Sequence, residues 1–259
     1  MANEISVERG ETGVAILSLS APERRNALTV AMAEELVDAC EQLDADGDVG
    51  AVVVRGEGGF FCAGGDRATL EAAGRDPADP EVYAGLGAVY RSFARVGALE
   101  APTVAAVRGG AVGAGLNLML ATDVRIVARD AKIISGFIPI GLHPGGGHGA
   151  LLGRTGAREA AAAMALFGER IDGERAAELG LAWAAVDDAD VEATAIELSG
   201  RAGADLVISV ELLACGHELL RHRDRERVAP LRSIEREDRD AALAPLDRDL
   251  RRHQGWDAI

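Results

Sequence analysis

The chain has 259 residues, of which 48% are hydrophobic and 27% are charged, a composition typical of a globular protein with one sizeable core. Its 42 acidic residues outnumber its 27 basic residues, which gives a formal net charge of −15 at pH 7. So much negative charge repels nucleic acid and anionic membrane surfaces, and we expect neither as a partner.

The sequence also predicts a compartment. Residues 1–10 carry Glu4 and Glu8 and lack an apolar stretch, so we expect no signal peptide. No apolar run approaches the roughly 20 residues needed to cross a bilayer. The cysteines are odd in number and far apart in sequence, which favours free thiols over a disulfide framework. These features predict a cytoplasmic protein with three free thiols: Cys40, Cys62 and Cys215.

Strand and helix patterns alternate along the first half of the chain. Residues 14–19 form a short apolar run typical of a strand, and Thr29 can cap a helix whose apolar residues recur at helical spacing over 32–43. Residues 51–54 are continuously apolar, as expected of a strand buried on both faces, and a glycine-rich segment follows. Residues 70–80 are small, charged and proline-containing, which predicts a surface loop.

The alternation continues to about residue 186 and predicts an α/β core. The next predicted elements are a helix at 82–96, a buried strand at 103–107, a short apolar helix at 116–121 and strands at 124–127 and 132–134. Beyond that core we expect a C-terminal helical region over 187–259. Its interleaved charges are typical of a solvated helix face or, alternatively, of an oligomer contact.

Five short motifs lie in the α/β region, and together they resemble the signature segments of the crotonase (enoyl-CoA hydratase/isomerase) superfamily. They occur in the family's order and at family-like intervals, so the resemblance covers residues 14–186. In chain order the motifs are Ser-Ala-Pro-Glu-Arg-Arg-Asn-Ala-Leu at 20–28, Phe-Phe-Cys-Ala-Gly-Gly-Asp at 60–66, Val-Ala-Ala-Val-Arg-Gly-Gly-Ala-Val-Gly-Ala-Gly-Leu-Asn at 104–117, Ile-Gly-Leu-His-Pro-Gly-Gly-Gly at 140–147 and Ile-Asp-Gly-Glu-Arg-Ala-Ala-Glu-Leu-Gly-Leu at 171–181.

The resemblance implies a fold and an assembly. The expected fold is an α/β, ClpP/crotonase-like spiral of ββα units over residues 1–186, with the helical region 187–259 serving oligomerisation. The family implies homotrimers, or hexamers built as dimers of trimers.

The resemblance also implies an oxyanion hole for a thioester carbonyl, formed by the backbone N–H groups of Gly65 and Ala114. Two such donors lower the cost of negative charge on the oxygen, and losing one typically costs about 3–4 kcal/mol. The alternatives are that both glycine segments are only tight turns, or that they bind a nucleotide. Neither segment reads Gly-x-Gly-x-x-Gly, however, and no phosphate-loop motif is present.

The implied substrate is an acyl-CoA thioester, so coenzyme A is part of the substrate, and we expect no separate cofactor and no metal. Arg24 and Arg25 are implied for the phosphates, with solvated surface arginines as the alternative. We favour a loop-shaping role for Asp66, and Arg67 stands where the family usually has an aliphatic residue. The implied substrate-binding residues are Arg24, Arg25, Ala27, Ala63, Gly65, Asp66, Arg67, Gly113, Asn117, Phe137 and Gly145.

The sequence departs from the family at the positions of the two hydratase glutamates, which are occupied by Asn117 and Phe137. Neither side chain exchanges a proton, so we expect no efficient hydration. His143 is a candidate general base for another reaction, such as thioester hydrolysis, decarboxylation or an unusual isomerisation. A structural loop histidine is the alternative, and zinc binding by His143 and His148 lacks a visible third ligand. A second hypothesis is a non-catalytic acyl-CoA carrier or sensor, since Phe137 makes the pocket more apolar.

Overall fold

The computed structural model describes residues 3–10, 12–76 and 79–202 of the chain. Of the predicted helical region 187–259, everything from residue 203 onward, including Cys215, lies outside the described residues. None of the helices in the described ranges combines the length and the apolar character that a membrane crossing requires.

Nine strands form two sheets within the described ranges. Six strands form the larger sheet in the order β1-β2-β3-β4-β6-β9, all parallel except β1, and β5, β7 and β8 form the smaller one. The strands are β1 (Ile5–Arg9), β2 (Val14–Leu19), β3 (Ala51–Gly56), β4 (Thr103–Val107), β5 (Gly110–Val112), β6 (Val124–Ala128), β7 (Lys132–Ile134), β8 (Arg170–Ile171) and β9 (Ala184–Val186).

Eight α-helices connect and cover these strands in the described part of the chain. They are α1 (Val30–Asp44), α2 (Arg67–Arg75), α3 (Pro80–Val96), α4 (Ala114–Ala121), α5 (His148–Arg154), α6 (Arg158–Leu166), α7 (Gly173–Glu178) and α8 (Val191–Gly200). Helix α1 begins where the sequence predicts it, because the Thr29 hydroxyl accepts a hydrogen bond from the Met32 N–H at 3.1 Å.

A ββα unit repeats along the chain. Strand β4 lies in the larger sheet, β5 in the smaller sheet, and α4 follows; β6, β7 and α5 repeat that order. The segment after β3 follows the same plan, since Cys62 forms a parallel bridge with Ala111 of β5 before α2 begins. Each unit therefore carries the chain from the larger sheet to the smaller one and then into a helix, which brings the loops before α2 and α4 to the same place.

The core lies between the larger sheet and its helices. Strand β4 is buried along its whole length, and β3 is buried at every residue except Arg55, so the continuous apolar runs are buried on both faces as predicted. Cys40 and Cys62 are free thiols inside this core. Burial raises the pKa of the Cys62 thiol to about 12, so it stays protonated at neutral pH.

The predicted surface loop over 70–80 is wrong in its first half, where α2 forms. Asp66 caps that helix by accepting hydrogen bonds from the N–H groups of Ala68 and Thr69 at 3.0 and 3.3 Å. Glu71 pairs with an arginine four residues away on either side, Arg67 and Arg75. The cap, these pairs and several alanines favour a helix, although the segment lacks an apolar face large enough to predict one.

Candidate active site

Two glycine-rich loops are held together by a short backbone ladder. The Phe61 N–H donates to the Arg108 carbonyl at 2.9 Å, and the Cys62 N–H donates to the Gly110 carbonyl at 3.2 Å. The Val112 N–H returns a bond to the Cys62 carbonyl at 3.1 Å. The loop that leads into α2 therefore runs directly beside the loop that leads into α4.

Glycine is required at two points of this contact. Gly64 has a φ of +102°, and a Cβ atom built there would lie 2.6 Å from the Val112 carbonyl oxygen. At Gly115, a Cβ atom would lie 2.2 Å from the Cys62 carbonyl oxygen. Any side chain at either position would push the two loops apart. The same Cβ position on Gly64 lies 3.5 Å from the backbone nitrogen of Ala114, so the first turn of α4 is adjacent to this loop.

The backbone next to Gly65 leaves its N–H free. The Leu28 N–H donates to the Gly64 carbonyl at 2.7 Å, and the Asp66 N–H donates to the Leu28 carbonyl at 2.8 Å. The Gly65 N–H shares a planar trans peptide group with the Gly64 carbonyl, and the two point in opposite directions, so the Gly65 N–H faces away from Leu28. Among the hydrogen bonds of the described residues, none has the Gly65 N–H as its donor.

The Ala114 N–H is the second free donor. Ala114 is the first residue of α4, so its N–H has no carbonyl one turn earlier in the helix to bond, and no other acceptor takes it within the described ranges. The helix dipole adds positive potential at this end. Gly65 and Ala114 are both half-buried, which leaves the two donors within reach of a ligand. The arrangement can bind a carbonyl oxygen or another small anionic group.

Asn26 fixes the third segment of the site, residues 24–28. It is fully buried with a φ of +56°, a conformation that asparagine tolerates better than most residues. Its side-chain oxygen accepts a bond from the Ala21 N–H at 2.8 Å, and its amide NH₂ donates to the Glu57 and Phe60 carbonyls at 3.0 and 2.6 Å. The sequence motif contains Asn26, but only the structure reveals that it joins this segment to the loop after β3.

The three predicted arginines have different surroundings. Arg24 donates to the Glu4 carboxylate at 2.7 Å, and this bond holds the pKa of Glu4 below its usual value. Arg25 is exposed, and its guanidinium carbon lies 5.7 Å from the centre of the Phe60 ring. The Arg25 carbonyl also accepts a bond from the Ala63 N–H at 3.0 Å, which keeps Arg25 beside the glycine loop.

Arg67 is exposed and paired within its own helix. The contacts of the three arginines to a coenzyme stay predictions. The predicted ligand contact of Ala27, which is buried in the same segment as Arg25, also stays a prediction.

Asn117 belongs to a buried network that sequence reasoning missed. His148 is 1% exposed, and its Nδ1 lies 2.7 Å from Asn117 Oδ1 while its Nε2 lies 2.8 Å from Ser135 Oγ. The Asn117 NH₂ donates to the Gly145 carbonyl at 3.3 Å, so its oxygen is left to face His148. A carbonyl oxygen only accepts, and His148 Nδ1 therefore carries the proton while Nε2 accepts the Ser135 hydroxyl proton.

The environment of His148 keeps its imidazole neutral. Burial lowers the pKa of His148 from 6.5 to about 4, so the ring is uncharged at neutral pH. The Phe137 ring packs edge-on against it, with 4.9 Å between the ring centres. No carboxylate takes part in the hydrogen bonds of Asn117, His148 and Ser135 in the described part of the chain. His143 lies exposed in the loop before α5, and its role as a general base stays a prediction.

The signal for this network in the sequence is weak. Residues 117, 135 and 148 come from α4, from the residue after β7 and from α5, and no local pattern joins them. A buried asparagine needs hydrogen-bond partners, but the sequence does not say which residues supply them. Gly145 is also more constrained than its motif indicates, since a Cβ atom there would lie 2.2 Å from the Tyr90 hydroxyl.

Comparison with known proteins agrees with this architecture. The enoyl-CoA hydratase/isomerase family profile matches residues 9–211. A solved structure of an enoyl-CoA hydratase from Polaromonas sp. JS666 superimposes with a TM-score of 0.76 at 29% identity, over 95% of this chain and 97% of that one. The crotonase-type α/β fold that the resemblance implies is therefore confirmed.

Two curated relatives are similar over most of their length. One is the probable enoyl-CoA hydratase EchA14 of Mycobacterium tuberculosis, 45% identical over 175 residues, which make up 68% of this chain and 67% of the relative. The other is the 1,2-epoxyphenylacetyl-CoA isomerase of Escherichia coli, 35% identical over 200 residues, or 76% of this chain and 75% of the relative. Their names indicate two different reactions of CoA thioesters on related chains.

Proposed function

The chain belongs to the enoyl-CoA hydratase/isomerase family, and we propose that it holds the carbonyl oxygen of an acyl-CoA thioester between the N–H groups of Gly65 and Ala114. The observation that carries this proposal is the pair of unbonded backbone donors on two interlocked loops. Such preorganised donors stabilise the negative charge that develops on a thioester oxygen during reaction. Arg25, exposed beside the same loop, is available for the phosphates of the coenzyme.

The proposed chemistry does not use two carboxylates. By family resemblance, Asn117 and Phe137 occupy the positions of the hydratase glutamates, and a positioned acid or base typically contributes about 10²–10⁴-fold to a rate. We therefore expect slow hydration, and we favour a reaction that depends on carbonyl polarisation, such as thioester hydrolysis, decarboxylation or isomerisation. His143 remains one candidate base, and His148, already bonded to Asn117, is a second.

A non-catalytic acyl-CoA carrier or sensor is the second candidate function. The observation in its favour is that Asn117, His148 and Ser135 satisfy one another inside the protein, with Phe137 as an apolar neighbour. A site of this kind suits the binding of an acyl chain without proton transfer. In either case we expect cytoplasmic trimers or dimers of trimers, and the acyl group is left open.

The test is to incubate the purified full chain with crotonyl-CoA and longer 2-enoyl-CoAs. Loss of the conjugated-thioester absorbance without release of free thiol measures hydration, loss that is matched by free thiol measures hydrolysis, and calorimetry measures binding. We expect saturable binding with little loss of absorbance beyond that matched by free thiol. Absence of binding would contradict the proposed site, and turnover at ordinary hydratase rates would contradict the proposed loss of both glutamates. His143→Ala removes activity while sparing binding if His143 is the base, and leaves both unchanged if His148 is the base. A carrier binds the thioester without activity in the wild type, and His143→Ala leaves that binding intact.

A further inference from the structure

Ser135, His148 and Asn117 are arranged as a nucleophile, a base and an orienting amide. The two short hydrogen bonds of His148 run from Asn117 Oδ1 through the imidazole to Ser135 Oγ, at 2.7 and 2.8 Å. Because His148 Nδ1 donates its proton to Asn117 Oδ1, the lone pair of Nε2 accepts the Ser135 hydroxyl proton. A serine hydroxyl bonded to a neutral imidazole, which a third group orients, is the arrangement that activates a nucleophile in hydrolases of unrelated folds.

The Ser135 residue also lies beside the proposed carbonyl pocket. Its preceding residue, Ile134, accepts a hydrogen bond from the N–H of Gly113 at 3.0 Å, and Gly113 directly precedes Ala114. A Cβ atom built on Gly113 would lie 3.7 Å from the Ser135 carbonyl oxygen and 3.9 Å from the Phe137 ring. These are ordinary van der Waals distances, so the backbone of Ser135 and the Phe137 ring lie directly against the residue that precedes the proposed Ala114 donor.

We propose that Ser135 is a catalytic nucleophile that takes the acyl group from a CoA thioester, with His148 as its base and Asn117 as a positioning residue. This inference rests on the proposed function, because the thioester carbonyl must sit between the Gly65 and Ala114 donors for Ser135 to attack it.

The reaction balances as hydrolysis of the thioester. Ser135 Oγ forms a bond to the carbonyl carbon while its proton moves to His148 Nε2. The C–S bond then breaks, and His148 returns the proton to the sulfur, which leaves as free coenzyme A. Water attacks the serine ester with His148 again as the base, which yields the carboxylic acid and restores the Ser135 hydroxyl. Thioester and water are thus converted to acid and thiol with no other reactant.

The test follows thiol release from acetyl-, crotonyl- and phenylacetyl-CoA by the full chain, with binding of each thioester measured in parallel. We expect Ser135→Ala to lower thiol release by at least about 100-fold while binding is retained. The matched control is Ser92→Ala, which removes another buried hydroxyl, bonded to the Val89 carbonyl at 2.8 Å in α3. Thiol release should be unchanged in that variant.

A second measurement does not depend on any variant. Acid quenching of the wild-type reaction followed by peptide mass analysis should detect the acyl mass on the peptide that contains Ser135. The positioning role of Asn117 has its own readout, since Asn117→Asp would stabilise the protonated imidazole and move the pH–rate profile to higher pH. An unchanged profile in a folded Asn117→Asp variant would remove Asn117 from the proposal.

The outcomes separate this inference from the proposed function. If the wild-type chain binds the thioesters but releases no thiol, the serine mechanism is wrong and the proposed pocket stands. If Ser135→Ala releases thiol at the wild-type rate, or the acyl mass maps to another residue, the mechanism is again wrong. If no thioester binds at all, both proposals fail together.

Discussion

Acidification should destabilise this protein through His148 in a way that can be measured. Burial lowers the pKa of folded His148 from 6.5 to about 4, so between these values the unfolded chain takes up the proton and the folded chain does not. The stability that depends on a neutral His148 is complete above pH 6.5 and is lost as the pH falls towards 4. The gap between the two values corresponds to about 3 kcal/mol of unfolding free energy.

The measurement compares urea unfolding of the wild type and His148→Gln from about pH 7.5 to about pH 4.5, at one protein concentration. The many carboxylates contribute equally to both proteins, so the difference isolates His148. As the pH falls over this range, we expect the unfolding free energy of the wild type to decrease by about 2–3 kcal/mol more than that of His148→Gln. His143→Gln, which removes an exposed imidazole outside the network, serves as the control and should follow the wild type. If the unfolding free energies of the wild type and His148→Gln changed with pH in parallel, a buried, neutral His148 would be refuted.

Three further substitutions test the loops of the site. Ala114→Pro removes the proposed donor at the first position of α4, where proline is well tolerated, so we expect little change in unfolding free energy but a loss of about 10²–10³-fold in any thioester turnover. Ala114→Ser keeps the N–H and should keep the activity, and equal activity of the two variants would count against the donor. Asn26→Ala leaves the Ala21 N–H without its partner and should lower the unfolding free energy by about 3 kcal/mol in denaturant titrations. A change below about 1 kcal/mol would contradict the role of Asn26 in joining residues 24–28 to the loop after β3. Asp66→Ala removes the α2 cap and should lower the stability of that helix by about 1 kcal/mol, measured as faster hydrogen exchange at the Ala68 and Thr69 amides. Unchanged exchange at these amides would argue against the cap.

Features with a local cause could be predicted from the sequence. The Thr29 cap sits directly before an amphipathic run, and β3 and β4 are continuous apolar segments, so each is encoded within a few residues. The sequence predicts a loop-shaping role for Asp66, and the structure shows that Asp66 caps α2, a helix that the sequence does not predict. Small and charged residues fit a loop and an exposed helix equally well, and only the cap and the pairs of Glu71 distinguish them.

Features made by tertiary contacts could not be predicted in this way. The sequence indicates that Asn117 replaces a proton-transferring residue, but not that it bonds to His148, 31 positions away. The sequence indicates His143 as a candidate base because its motif is recognisable. His148 lies only five residues further on, yet it is buried at the start of α5 while His143 is exposed. That difference depends on how α5 packs near α4, which no single segment encodes.

The polarisation of a bound thioester carbonyl tests the central claim most directly. Crotonyl-CoA labelled with ¹³C at the carbonyl can be bound to the full chain and followed by isotope-edited infrared spectroscopy, with Ala114→Pro in parallel. If the Gly65 and Ala114 N–H groups hold the oxygen, the carbonyl band of the bound thioester shifts to lower frequency than in water, and the shift shrinks in Ala114→Pro. A bound thioester whose carbonyl band is no lower than in water, or is the same in both proteins, would contradict the account.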